Sequence, residues 1–351
     1  KSEYLNTENI YDCFIECDYE SEYKSFDGKN LMKINKNKVL DSQNENINTY
    51  EAHLNQNHYF YYNKIDKISH SKMVRYMLFD IENDFCNDII NTPEEVTSIA
   101  FYDNLYDEYK IYVLNVNNQE ILDIDNIEVK QYNDEKLMIE EFLNELQKYD
   151  VLTGWYSGGF DIPYLINRAI KLDIDISFYF RNIYIKIENN EVKIWQNSFI
   201  FFDALEFYKM NVYYNKPPSY GLGVVANFLF GEEKIKHDGV DVLWRKNING
   251  LIKYNLHDVY LLKRICDASS IINYPLQLQQ LCPQDFENVF FNSNTIENLL
   301  HHRYWKQNIY FPTKVLNESQ DFEGAIVNDP ISGTHTNVAV YDFSAMYTQI
   351  Y

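Results

Sequence analysis

The rhythm of apolar and polar positions changes near Met73 in this 351-residue chain. Residues 1 to about 72 are polar and interrupted, and the Asn/Lys-rich stretch Lys29–Asn48 reads as a solvated loop. Its lysines, Lys29, Lys33, Lys36 and Lys38, could touch phosphate, but the solvated loop is the preferred reading. From Met73 the pattern sharpens. Val74-Arg75-Tyr76-Met77-Leu78-Phe79-Asp80-Ile81-Glu82 predicts a buried strand, and Glu95–Asp103 and Tyr109–Val116 predict two more. Asp134–Tyr149 predicts an amphipathic helix, because Met138, Ile139, Phe142, Leu143 and Leu146 recur at helical spacing with acidic residues opposite. Asp150–Trp155 reads as a short strand. Ile162–Leu172 reads as a helix with Pro163 in its first turn, where a missing N–H costs nothing. Ile183–Ile187 and Val192–Phe202 read as strands joined by a hairpin turn at Glu188-Asn189-Asn190-Glu191. A helix near Ala204–Met210 and a breaker at Asn215-Lys216-Pro217-Pro218 follow. A long helix at about Gly250–Ser270 and an apolar strand at Asn337–Phe343 complete the pattern. Strands first, then helices interleaved with strands, predict a mixed α/β domain of about 200 residues.

Composition narrows the class. The chain is 46% hydrophobic and 24% charged, with 11 Gly and 8 Pro, which excludes a linker, a collagen or a disordered tail. At this length two domains are expected. The balance of 31 Lys+Arg against 52 Asp+Glu gives a net charge of −21. That argues against a basic surface coating itself with nucleic acid, but not against a nucleic-acid enzyme whose carboxylates hold metal. Cys13, Cys17, Cys86, Cys266 and Cys282 are odd in number, scattered and without a C-x-x-C pair, so reduced intracellular thiols are expected. The pairs His53/His58 and His301/His302 each lack a second pair at ligand spacing, so no histidine metal site is expected. No window approaches ~18 apolar residues, and the start, Lys1-Ser2-Glu3-Tyr4, has neither a methionine nor a signal-peptide core. A soluble, cytoplasmic protein without membrane contact is expected, and one whose native start lies elsewhere. The 31 tyrosines reflect a compositional bias and are not read one by one as base-stacking platforms.

Three short patterns carry candidate chemistry. Asp80 and Glu82 lie two apart on a predicted strand and so project from one face. Two carboxylates there repel unless a cation joins them, although Asp123-Ile124-Asp125 and Asp173-Ile174-Asp175 have the same spacing. In Gly154-Trp155-Tyr156-Ser157-Gly158-Gly159-Phe160-Asp161-Ile162-Pro163-Tyr164, a strand ends, a glycine-bearing turn follows, and Asp161 stands at the mouth of a helix. An N-cap would suffice to explain Asp161. It would not explain the glycines, which permit close approach of the backbone to something else. In Tyr254-Asn255-Leu256-His257-Asp258, spacing i, i+4 puts Tyr254 and Asp258 on one helix face.

In this order the three resemble the exonuclease motifs of family B DNA polymerases. Val151–Trp155 with Phe160–Arg168 resembles the second motif almost throughout, nearest the polymerases of large tailed phages. Pro218–Leu222 through Gly231–His237 is similar to the segment between the second and third motifs. Phe322-Glu323-Gly324-Ala325 resembles the element linking the nuclease and polymerase parts, and Val340–Tyr347 the first polymerase motif. The resemblance implies a ribonuclease-H-like 3′–5′ exonuclease domain, a mixed sheet flanked by helices, at 73–270. It also implies a smaller N-terminal α+β domain at 1–72, a return segment packing on it at 271–313, and the first strand of a palm at 314–351. It implies proofreading by two-metal hydrolysis of the 3′ terminus of single-stranded DNA. Asp80, Glu82, Asp161 and Asp258 would hold two Mg²⁺ or Mn²⁺ ions, and Tyr254 would orient the water. Phe160 and Tyr156 would touch DNA, and the hairpin at Ile183–Trp195 matches one thought to help part primer from template. Asp342 would bind polymerase metal and Tyr347 would gate the ribose. Because the chain stops at Tyr351, polymerisation with dNTP is expected only in a longer enzyme, as are contacts with a sliding clamp and other replication proteins. Tyr156 replaces the usual Asn of the second motif. Ala345, Met346, Thr348 and Gln349 replace Ser, Leu, Pro and Ser of the first polymerase motif. A free-standing 3′–5′ exonuclease of DNA or RNA, or a non-catalytic DNA-binding module, are the alternatives.

Overall fold

The computed structural model describes residues 12–35, 48–54, 58, 61–63, 74–84, 87–124, 127–188, 191–196, 198–211, 216–282, 284, 286, 289, 291–314 and 328–345. The first segment forms β1 (Asp12–Glu16), β2 (Tyr23–Ser25), β3 (Asn30–Asn35) and β4 (Thr49–Tyr50). β3 occupies the beginning of the stretch read as a loop. It forms because Leu31 is buried against Phe14 while the strand pairs antiparallel with β1; residues 36–47 lie outside the described set. Lys29 pairs with Glu16 at 2.7 Å.

The second sheet begins with β5 (Tyr76–Asn83), β6 (Val96–Asp103), β7 (Glu108–Leu114) and β8 (Ile127–Tyr132), followed by helix α1 (Glu135–Leu146). Then come β9 (Val151–Gly154), α2 (Asp161–Lys171), the hairpin β10 (Tyr184–Glu188) and β11 (Glu191–Trp195), and β12 (Ile200–Asp203). The chain continues through α3 (Ala204–Asn211), α4 (Leu222–Phe230), α5 (Val240–Lys246), α6 (Ile248–Ala268), α7 (Asn273–Leu281), α8 (Asn292–Trp305) and β13 (Ile309–Tyr310). The run Val192–Phe202, read as one strand, is two. Gln196 Oε1 accepts the N–H groups of Ser198 and Phe199 and turns the chain. β11 therefore stays in the hairpin, and β12 joins the main sheet.

That sheet has the order β12-β9-β5-β6-β7-β8. β5 is antiparallel to β6 on one side and parallel to β9 on the other. Alternation separates its faces. Phe79 and Phe101 lie on one face, and Phe142 of α1 packs on both, at ring-centroid distances of 6.0 and 5.8 Å. Asp80, Glu82 and their partners Ala100 and Ser98 lie on the other, where Asn255 of α6 donates to Ser98 Oγ at 2.8 Å. α1 and α6 thus cover opposite faces.

A smaller sheet, in the order β13-β2-β3-β1-β4, has its own core of Phe14, Leu31, Tyr50, Leu54, Tyr62, Trp305 and Tyr310. Phe14 and Tyr310 stack at 3.7 Å. α8 and β13 thereby return to the sheet of the first segment, β13 running parallel to β2.

Residues 314–351 form a separate unit. Its described part, 328–345, holds no helix or strand, so Asn337–Phe343 is not the apolar strand its pattern predicts. A strand needs a neighbour to complete its ladder, and among the described residues none pairs with it; Val340 and Tyr341 are 90% and 92% exposed. No helix of the described residues is long and apolar enough to cross a membrane.

Candidate active site

β9 pairs with β5 only along Tyr76, Met77 and Leu78. The chain then leaves β5 at Gly154, where a Cβ would lie 2.8 Å from both the Phe79 carbonyl oxygen and the Ser157 Cβ, so only glycine fits. Beyond that point the edge of β5 lacks a strand. In its place Asp161, the first residue of α2, accepts the Ile81 N–H through Oδ1 at 3.0 Å. Asp161 is therefore not an N-cap: that position is Phe160, which makes no capping bond. The same helix carries a purely structural residue one end further on. Arg168 grips Glu135 with two bonds of 2.8 and 2.6 Å, tying α2 to α1.

The turn between β9 and α2 is held by one carboxylate that sequence reasoning passed over. Asp203 accepts the N–H groups of Tyr156 and Gly158 at 3.0 and 2.9 Å and caps α3 through the Leu205 N–H. Tyr156 sits in the left-handed region at φ 62°, where Asn is at ease and tyrosine is strained. Its ring lies across Gly159, where a Cβ would be 2.4 Å from the ring. The close approach that the glycines permit is thus to the chain's own Phe79 carbonyl and Tyr156 ring. Tyr156 is 56% exposed. Phe160 is half-buried, packing on the core with its ring 5.4 Å from Tyr164.

On the α6 face, Asp80, Glu82 and Asp258 each offer a ligand atom within 4.8 Å of the others. Burial, then the neighbouring Asp161, Glu82 and Asp258, holds the Asp80 carboxyl well above the usual range. Burial and Asp258 push Glu82 up to about 8. Burial raises Asp161 to about 7 against the pull of the Ile81 N–H, and raises Asp258 against the pull of Lys234. Four carboxylates that favour protonation in their own company are a cluster short of positive charge. One cation is supplied: Lys234 Nζ lies 2.6 Å from Asp258 Oδ2, over the Tyr254 ring. The other oxygen, Asp258 Oδ1, is buried with no hydrogen-bond partner. That orphan, with hard oxygen donors converging on one point, fits a divalent metal.

Tyr254 stands one turn before Asp258 on α6, and the His237 ring lies 4.3 Å from it. Burial, then Glu82 and Asp258, drives its hydroxyl far up, so it stays protonated. The predicted quintet therefore divides plainly: Asp80, Glu82 and Asp258 share one pocket, Asp161 flanks Asp80, and Tyr254 borders Asp258. Asp342 is exposed in the separate unit, and Tyr347 and Phe322–Ala325 lie outside the described residues. Lys234 was missed as a functional residue. It falls inside the Gly231–His237 resemblance, but nothing in a lone lysine's neighbours along the chain announces its charge partner 24 residues away.

Residues 22–225 match the family model of the DNA polymerase family B exonuclease domain. Relatives include the DNA-directed DNA polymerase of Escherichia phage RB69, 27% identical over 65% of this chain and 26% of that protein. The DNA-directed DNA polymerase of Enterobacteria phage T4 is 24% identical over 99% of this chain and 43% of its own length. DNA polymerase 1 of Saccharolobus solfataricus is 25% identical over 69% of this chain and 29% of its own length. The chain thus spans less than half of each of these relatives. With the family model covering more than half of the chain, and Asp80, Glu82 and Asp161 lying within the matched residues, this chain belongs to DNA polymerase family B and contains its exonuclease domain.

Proposed function

We propose that the pocket hydrolyses the 3′-terminal phosphodiester bond of single-stranded DNA, as the proofreading part of a replicative DNA polymerase. The observation that carries this is the convergence of Asp80, Glu82 and Asp258 beside Asp161, with Asp258 Oδ1 left without a partner. Asp80, Glu82, Asp161 and Asp258 are the residues that would hold two divalent ions. Oxygen-only donors select Mg²⁺ or Mn²⁺. When bound, two such ions supply a nucleophilic water and stabilise the attacking and leaving oxygens together. The chain's own groups do the rest. Tyr254, held protonated, orients the water by a hydrogen bond. Lys234 keeps a positive charge beside the scissile phosphate. Tyr156 and Phe160 meet the single strand at the mouth, where stacking is worth about 1–3 kcal/mol per base.

The module boundaries follow the same reading: the nuclease at 73–270, a first segment at 1–72, a return segment at 271–313 whose Ile271, Ile272 and Phe286 pack on the nuclease core while Trp305 and Tyr310 join the N-terminal core, and the start of a palm at 314–351, where Asp342 and Tyr347 serve polymerisation in the longer enzyme. DNA is the partner this chemistry requires, and dNTP, a sliding clamp and cytoplasmic replication proteins belong to that longer enzyme. A time course on a 5′-labelled single strand with Mg²⁺ tests the reading. A ladder shortening from the 3′ end is expected, and the Asp80→Ala/Glu82→Ala chain should leave the strand intact. Undiminished cleavage by that variant would overturn the assignment.

A further inference from the structure

In the N-terminal layer, the turn after β4 and the helix α8 bring together two histidines that lie 248 residues apart. Glu51, His53 and His301 each offer a ligand atom within 4.8 Å of the others. Glu297, one turn before His301 on α8, places Oε1 3.9 Å from both His53 Nε2 and His301 Nε2. The rings of His53 and His301 meet edge to face at 5.7 Å.

The two sides of the His301 ring are differentiated. Its Nδ1 faces Glu51, at 3.0 and 2.8 Å from the two carboxylate oxygens. Glu51 is 1% exposed and also accepts the Phe311 N–H at 2.8 Å. It is held in a left-handed backbone conformation, φ 59°. A carboxylate bonded to Nδ1–H fixes the tautomer and leaves the Nε2 lone pair free to coordinate, as in the outer shell of metal-bound histidines. That lone pair points to the side where His53 and Glu297 converge. The two carboxylates carry the charge that one divalent cation neutralises.

We propose that His53 Nε2, His301 Nε2 and Glu297 bind a zinc-class divalent cation, with Glu51 as the positioning residue behind His301. Imidazole donors select zinc and its neighbours over Mg²⁺, so this site takes a different ion from the exonuclease carboxylates. At bond lengths of about 2.0–2.1 Å, tetrahedral donors stand roughly 3.3–3.4 Å apart. The 3.9 Å separations therefore close by about half an ångström on loading, a swing within reach of the partly exposed Glu297 side chain. The bound ion clips the β4 turn to α8, joining the first segment to the returning one.

The test is calorimetric titration of Zn²⁺ into the full chain carrying Asp80→Ala and Glu82→Ala, so that the exonuclease pocket does not compete. One Zn²⁺ per chain is expected, with a rise in melting temperature and the visible absorption of a tetrahedral site when Co²⁺ replaces it. His53→Ala and Glu297→Gln, added singly, should each weaken Zn²⁺ binding more than about 100-fold, and Glu51→Gln by about 10–100-fold. Circular dichroism of the metal-free variants, matching the parent, shows that the fold is intact. A parent that takes up no Zn²⁺, or whose binding is unchanged by both His53→Ala and Glu297→Gln, overturns the proposal.

Discussion

Glu135 and Asp258 are both buried carboxylates of the same domain, 7% and 1% exposed, in opposite surroundings. Around Glu135 every charge is answered. Arg168 binds both oxygens, the Val96 N–H adds a bond of 2.7 Å, and the Thr92 carbonyl takes a further Arg168 N–H at 3.0 Å. Around Asp258 three more carboxylates face Lys234 and the Tyr254 hydroxyl, and Oδ1 makes no hydrogen bond of normal geometry. The first arrangement joins two helices across the sheet edge. The second leaves charge unanswered at a point on the surface of β5, which is what a cation-dependent pocket needs before its cation arrives.

The sharpest way to break this comparison is to remove carboxylates from each cluster. Asp80→Ala with Glu82→Ala should lower the rate of 3′ shortening by more than about 100-fold, exceeding the 10–100-fold usual for groups behind a metal's own ligands. It should leave the melting temperature of the metal-free protein unchanged or higher, because like charges have been removed; a clear fall would mean that these side chains hold the fold together. Arg168→Ala should do the reverse. Stranding Glu135 as a buried charge should cost about 3–5 kcal/mol, read from urea unfolding, with per-molecule nuclease activity kept. A loss under about 1 kcal/mol would show that water enters that site.

The pH dependence of the metal-free protein sharpens the contrast. Glu82 titrates at about 8 and Asp161 at about 7 in the folded chain, against about 4.3 and 3.9 in an unfolded one. Between those limits the folded state binds more protons than the unfolded state. Its stability is therefore fullest below about pH 4 as far as these groups are concerned, falls as pH rises, and levels off above about 8. Saturating Mg²⁺ should flatten the slope, since a cation then does what the protons did. A slope unaltered by Mg²⁺ would separate these carboxylates from metal binding.

The smallest effect expected is at Tyr156. Tyr156→Asn should relieve its left-handed backbone and stabilise the protein by roughly 1 kcal/mol. It should also weaken single-strand binding by no more than the 1–3 kcal/mol of one stacked base. Destabilisation instead would mean that the ring's packing over Gly159 outweighs the strain.

Much of this was legible in the residue pattern, for identifiable reasons. β5, β6, β7 and β9 carry near-continuous apolar runs, and α1 and α6 repeat theirs at helical spacing, so periodicity places them. β8 escaped because it is largely half-buried and interrupted by polar residues. α8 escaped for a different reason: its buried residues are Asn298, His301 and Trp305, so a helix that does pack inward shows no apolar stripe. The same polar lining hid the approach of His53 to His301, which no spacing along the chain could display. The exonuclease carboxylates were visible as three motifs, while Lys234 and Asp203 were not. Each acts on a partner brought close by folding, and an isolated Lys or Asp carries no period.

β9 stops pairing at Leu78 while β5 runs on to Asn83, and the gap sets a limit on how this sheet can be improved. Backbone N–H groups take whatever acceptor reaches them first. A loop shortened or redesigned so that the strand zipped onward past Gly154 would offer Ile81 a carbonyl oxygen, and Asp161 would be evicted from its seat. The protein would gain ladder bonds and lose a ligand. Thermostability screens on this fold should therefore return a class of winners that melt higher and cut nothing, with their changes concentrated in residues 155–160.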